Sequence, residues 1–241
     1  FSRSAPAFLG CKREIENYFN HSEVMPMSKL SSISAFLLLS ACGGTSLGGT
    51  EMDTRHASKL ATFTRQDEAI RAMNPTGHSN LPTSGTAVFD GRALITAETT
   101  NGDLRYVIVG DSHIDINFTA SFVSGNLNNM TGERTDGSGA VTYHTITGFT
   151  ELGEDDVSTD YSTPSGHAGF LGSHNFELNT PDGLLDIAGV LQGQYFGNAA
   201  NAPAGEHVIR GVTMESVFDA NDTLGGRDVQ TSVFVTGYAV R

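Results

Sequence analysis

Tryptophan is absent from this 241-residue chain, and there are only two cysteines, Cys11 and Cys42. The first absence removes the largest stacking side chain from any ligand site and leaves that work to 14 phenylalanines and six tyrosines. The second excludes a disulfide-dense scaffold, so the fold must be held by its core and its hydrogen bonds. Positive charge is scarce too: 14 Lys and Arg stand against 27 Asp and Glu, a formal charge of -13. A field of that sign repels phosphate backbones, which excludes nucleic acid as the partner. Long apolar runs are also missing. The most apolar stretch, Ile33 to Ala41, falls far short of the roughly 20 residues that cross a bilayer as a helix. With 28 glycines, seven prolines and 17% charged residues, the chain is turn-rich globular sequence rather than a charged disordered tail.

That short apolar stretch has the length of a signal-peptide core, and its surroundings fit one. Met27 and Lys29 precede it as a start and a basic n-region, and small residues Ser40 and Ala41 stand directly before Cys42. Leu39-Ser40-Ala41-Cys42 resembles the bacterial lipobox, in which the cysteine is acylated and becomes the new N-terminus. The alternative is an ordinary signal peptide cut near Ala41 with a stray cysteine behind it. The expected organisation is therefore an upstream segment over 1–26, a lipoprotein signal peptide over 27–41, a lipidated flexible tether over 42–84 and a folded domain over 85–241. Within the tether, Leu60, Phe63 and Ile70 at loosely helical spacing predict a short helix over about 58–73. Its flanks, "GGTSLGGT" and "NPTGHSNLPTSG", are loop sequence.

From Thr86 onward the hydrophobic period is two. In "IDINFTASF", Ile114, Ile116, Phe118, Ala120 and Phe122 take one side of a strand, and Asp115, Asn117, Thr119 and Ser121 the other. Asn101-Gly102 and Asp182-Gly183 mark turns between antiparallel strands. Alternating segments fall near 86–97, 104–110, 113–123, 139–150, 167–178, 184–197, 206–219 and 229–240. Eight such strands without a helical pattern among them predict an all-β fold, an eight-stranded antiparallel up-and-down β-barrel, because closure removes the sheet edges. A two-sheet sandwich is the alternative.

Few residues offer chemistry. Asp111, Ser112 and His113 are adjacent in "VGDSHID", but neighbours on a strand face opposite ways, so Ser112 and His113 are not expected to form a nucleophile–base pair. The acids of "GEDD", Glu154 to Asp156, lack the ordered spacing of a calcium loop. No histidine pair has zinc-site spacing, so no metal site and no enzyme activity is expected. His167 and His174 bracket "AGFLGS", where either would serve as an axial haem ligand beside Phe170, with Tyr161 and His207 at the margins of neighbouring loops. The alternative for these histidines is a polar surface loop. Gly193, Gly197 and Gly211 are read as structural turn residues of a barrel, with Gly193 and Gly197 flanking Tyr195-Phe196.

The segment Gly189 to Ser216 resembles the C-terminal barrel repeat of the transferrin-binding protein B family. Gly193, Phe196 and Gly197 match its strand end, and Ala204, Glu206 and Gly211 match the return into its next strand; Asn198 stands where the family usually has Pro. "FTASFVSGNLNNMTGE" and the closing "TGYAVR" are similar to other strands of that family, so the resemblance covers about 85–241. It implies a lipid-anchored outer-membrane or cell-surface protein that captures an iron source, haem or a host or partner protein through barrel loops and works beside a TonB-dependent receptor or another surface protein. A single barrel has no room for the family's handle domain, which favours a ligand smaller than transferrin, such as haem, although no resident cofactor is expected. The alternative function is a structural or lipid-handling barrel lipoprotein without a nutrient-uptake role.

Overall fold

Alternation with period two dictates strands whose one face is apolar, and the chain keeps that pattern almost throughout the part described. The computed structural model describes residues 51–77, 80–153, 161–162, 167–197, 209–217 and 221–240, all within the unit Gly49–Arg241. It contains helix α1 (Glu51–Arg71) and strands β1 (Thr86–Thr99), β2 (Leu104–Asn117), β3 (Phe122–Asp136), β4 (Val141–Leu152), β5 (Tyr161–Ser162), β6 (Ala168–Thr180), β7 (Gly183–Phe196), β8 (Gly211–Val217), β9 (Thr223–Leu224) and β10 (Arg227–Ala239).

The eight long strands pair in the order β1-β2-β3-β4-β6-β7-β8-β10, each antiparallel to its neighbours. β10 then returns to β1 over eleven residue pairs, from Phe89–Ala239 to Thr99–Val229. The barrel is closed as expected, and the sandwich is excluded by that last pairing. β5 is a two-residue addition to β6. β9 pairs with both β7 and β10 beyond the end of β8, so it resumes the place that β8 leaves. Buried Asp222 spans that interruption, accepting hydrogen bonds from the Ala188 amide of β7 and the Thr231 hydroxyl of β10.

Two expected strands need correction. The segments 104–110 and 113–123 are not two strands: β2 runs unbroken to Asn117, and the next strand, β3 (Phe122–Asp136), falls mostly in the gap between the expected segments 113–123 and 139–150. Gly110 looked like a break, yet a Cβ there would sit 2.6 Å from the Met130 side chain and 2.9 Å from the Asn128 carbonyl. The glycine permits close approach of β3; it does not end β2. On β3, Asn129 adopts φ 51° at a bulge opposite Val109 and Asp111. The flexible tether needs correction over its described part. The helix begins at Glu51, seven residues before the expected start, and packs on the outer barrel wall through His56, Lys59, Phe63 and Ile70. Phe63 joins Leu94, Val107 and Val109, with Leu60 and Phe234 beside them, in an apolar cluster outside the barrel. Past the helix, Thr76 wedges between the ends of two strands: its amide donates to the Tyr195 carbonyl at 2.9 Å, and its carbonyl accepts from Ala168 at 2.8 Å.

The main core fills the barrel interior. Phe89, Tyr106, Phe170, Phe176 and Tyr195 are fully buried there with Ile and Leu side chains from every long strand between β1 and β7.

Candidate functional site: the loop end of the barrel

Strand directions give the barrel two unlike ends. At one end β1–β2, β3–β4, β6–β7 and β9–β10 are joined by connections of two to four residues, 100–103, 137–140, 181–182 and 225–226. This end is sealed from within. Asp182 accepts from the Arg134 guanidinium at 2.6 Å and 3.1 Å and from the Tyr106 hydroxyl. The guanidinium holds the Asp182 carboxyl below the usual carboxylate range, while burial, and then Asp182, push the Tyr106 phenol up to about 12. The strand ends joined by the long connections 153–160, 163–167 and 197–210 all lie at the other end, as does the start of β1, and the sequence led us to expect ligand at these connections.

The named residues do not converge there. Phe170 is fully buried in the core, 5.0 Å from the Tyr195 ring centroid, and so presents no face to a ligand. His174 also points inward and is buried, its ring 5.2 Å from that of Phe176. Both lie in the inward row of β6 with Ala168, Phe176 and Leu178. His167 is half-buried at the loop end, where its backbone bridges Gly77. Tyr161 pairs with Gly169 through β5. Cys42, His207 and the acids Glu154 to Asp156 lie outside the described residues. Among the described residues no group of three His, Cys, Asp or Glu side chains is placed to hold a metal ion.

The glycines also act differently from corner turns. Gly193 sits within β7, paired with Phe170 on β6 and Met214 on β8, and a Cβ there would lie 2.1 Å from the Phe170 ring. Gly211 opens β8 and receives Ile70 of α1, which a Cβ would meet at 3.1 Å. Gly197 closes β7 by donating its amide to the Asn74 carbonyl at 2.9 Å.

Ser112 and His113 part as strand geometry requires. Ser112 is buried and donates to the Thr236 carbonyl at 2.8 Å. His113 faces out, its Nδ1 2.6 Å from Asp90 and its Nε2 3.2 Å from Asp115, and the Asp90 hydrogen bond raises its pKa. The third member, Asp111, belongs to a junction that sequence reasoning missed. Lys59 of α1 approaches Asp111 at 3.6 Å and donates to the carbonyl of the bulged Asn129; Arg92 contacts Asp111 from β1, and Arg55 donates to the Asn129 side chain. Burial first, then Arg92 and Arg55, bring the Lys59 ammonium down to about 8. Beside this junction a polar cleft of about 570 Å³ opens between Gln66 of α1 and Asp90, Arg92, His113, Asn126 and Asn128 of the wall.

A search of solved structures returns transferrin-binding protein B. A substituted form of the vaccine antigen Transferrin Binding Protein B from Haemophilus parasuis aligns at TM-score 0.42 and 14% identity, covering 70% of this chain and 29% of that one. A doubly substituted form of the same antigen aligns at 0.40 and 14%, covering 70% and 28%. An intact transferrin-binding protein B with N and C lobes aligns at 0.40 and 13%, covering 69% and 29%. This chain thus spans less than a third of the length of those structures. No protein-family model matches it, and no curated protein does. The barrel itself rests on the register of its own strands.

Proposed function

We propose that this chain is a non-enzymatic binding barrel, held at the outer membrane by a lipid on Cys42, that engages a partner protein through its loop end. The supporting observation is the contrast between the two ends and the filled middle. Side chains from Phe89 to Val235 occupy the interior, and Tyr106, Arg134 and Asp182 close the tight-turn end. The long connections, which follow β4, β5 and β7, join strand ends at the opposite end. A small apolar ligand needs a concave enclosure that buries most of its surface, whereas a protein partner needs an exposed face of loops. The filled interior likewise speaks against a lipid chain carried inside the barrel. The haem version of the reading keeps Tyr161, His167 and His207 as candidate ligands, without Phe170 and His174.

A photo-crosslinking residue at His167, compared with one at Ser138 on the tight-turn end, tests this in cells that produce the protein with Cys42 intact. Adducts from position 167 and none from 138 are expected. Adducts from both ends alike, or none from 167, overturn the reading. Titration of the purified protein with haem separates the versions: a Soret shift that disappears in His167→Ala assigns haem, and no shift at micromolar protein leaves the protein partner.

A further inference from the structure

The outward faces of the strands divide into a covered sector and an uncovered one. Over β1, β2 and β10 the outward apolar residues Leu94, Val107, Val109 and Phe234 lie beneath α1. The helix reaches β4 where His56 meets the Tyr143 ring. Over the rest of β4 and over β6 and β7 nothing lies on the wall among the described residues, yet apolar side chains continue. Four large apolar side chains are exposed among the described residues, and three belong to these strands: Phe149 at 51%, Val141 at 47% and Leu184 at 43%. Register places Phe149 beside Glu177 and Glu177 beside Asp186, while Leu184 stands beside Asn179 in the adjoining outward row. Glu151 continues the outward row of β4.

We infer that this uncovered wall of β4, β6 and β7 docks a basic amphipathic helix supplied by a partner protein. Two features fix that occupant. The first is charge: between Arg134 and Arg210 the sequence contains no Lys or Arg, so none of these three strands offers a cation to Glu151, Glu177 or Asp186. A second copy of this wall would bring acid against acid, and an anionic lipid surface would be repelled in the same way, whereas Lys and Arg of a partner complement it. The second is the chain's own precedent. α1 covers its wall with Phe63 and Leu60 on the apolar strip and Lys59 reaching the carboxylate of Asp111. A helix that presents apolar side chains to Phe149 and Leu184, and Lys or Arg to Glu177 and Asp186, would repeat that arrangement on the sector left bare.

This wall is distinct from the loop end, and its test separates the two. A photo-crosslinking residue at Leu184, in cells producing the full chain, is expected to capture a different protein through a segment that is helical, amphipathic and rich in Lys or Arg. Reversing Glu177→Lys and Asp186→Lys together should lower the adduct yield roughly tenfold, as expected from losing two rim ion pairs and replacing them with repulsion. Glu68→Lys, an exposed change on α1, should leave it unchanged, and thermal melts of both variants verify folding. An adduct with a second copy of this chain, an adduct unaffected by the reversal or lowered equally by Glu68→Lys, a captured segment without basic residues, or no adduct at all overturns the proposal. Adducts from His167 in the same experiment depend on the loop end alone.

Discussion

Replacing Gly193 with alanine should damage the core through one ring. The new Cβ would lie 2.1 Å from Cζ and 2.3 Å from Cε2 of Phe170, whereas carbon atoms settle at about 3.5 to 4.0 Å. The ring must retreat by roughly 1.5 Å, and the Tyr195 ring, with its centroid only 5.0 Å away, stands beside it and against Phe118. Overpacking of that kind costs about 1 to 3 kcal/mol. Truncating the ring instead, Phe170→Ala, should cost about 3 to 5 kcal/mol in lost burial and cavity. In the double variant the new methyl group enters space the ring has vacated, so the cost of Gly193→Ala vanishes. Its removal of glycine from a strand even favours the fold slightly. The double variant should therefore be more stable than the sum of the single losses predicts, by about 1 to 3 kcal/mol. Urea unfolding of all four proteins measures this, provided the slopes agree. Losses that add to within about 0.5 kcal/mol would refute the contact, and with it the account of why glycine stands there.

The remaining predictions concern the helix, its histidine, the sealed end and the anchor. Phe63→Ala removes the centre of the apolar cluster under α1, so α1 amides should exchange roughly tenfold faster while those of β6 and β7 are unchanged; equal acceleration everywhere would mean that helix and barrel open as one unit. His56, buried against Thr131 and Tyr143, has its pKa lowered chiefly by burial, with Glu133 and Asp53 opposing and Lys59 adding to the decrease. Its neutral form is thus favoured in the fold: its contribution is complete above the unfolded value of about 6.5 and is lost as pH falls through the lower folded value, so His56→Gln should flatten the acid side of a melting-temperature profile. His113 has a raised pKa and the opposite sign, its contribution present below about 6.5 and lost as pH rises through the folded value; matching pH profiles for variants at the two positions would contradict both assignments. Asp182→Ala removes the second cause of the raised Tyr106 pKa, so the phenol should titrate lower by ultraviolet absorbance, though still above an exposed tyrosine because burial remains. Cys42→Ser should release the protein from membranes with the barrel intact, and a mature N-terminus found by mass spectrometry at any other residue would remove the lipid anchor.

The barrel was legible because strands with one filled face must alternate, and Ile114, Ile116, Val233 and Val235 do so without interruption. The number of long strands came out right although β2 was divided and β3 missed, because a single sequence does not show what a glycine approaches. Gly110, Gly125 and Gly132 break the apolar row in β2 and β3 by admitting a neighbour's backbone or side chain, and they mimic turns. α1 hid its first turns for a related reason. The face it buries there carries His56 and Lys59, so apolar periodicity begins only near Leu60, and the carboxylate that receives Lys59 lies far along the chain, at Asp111. Phe170 and His174 turn inward for a reason that the sequence did contain. Phe170 and His174 are separated by even steps from Phe176 and Leu178, so in a strand all four must face the same way, and the apolar members assign that way to the interior. Parity along each strand thus divides the barrel before any contact is known. Inward positions are committed to the core, so contact with any other molecule falls to the loop end or to outward positions such as Phe149, Glu177 and Leu184.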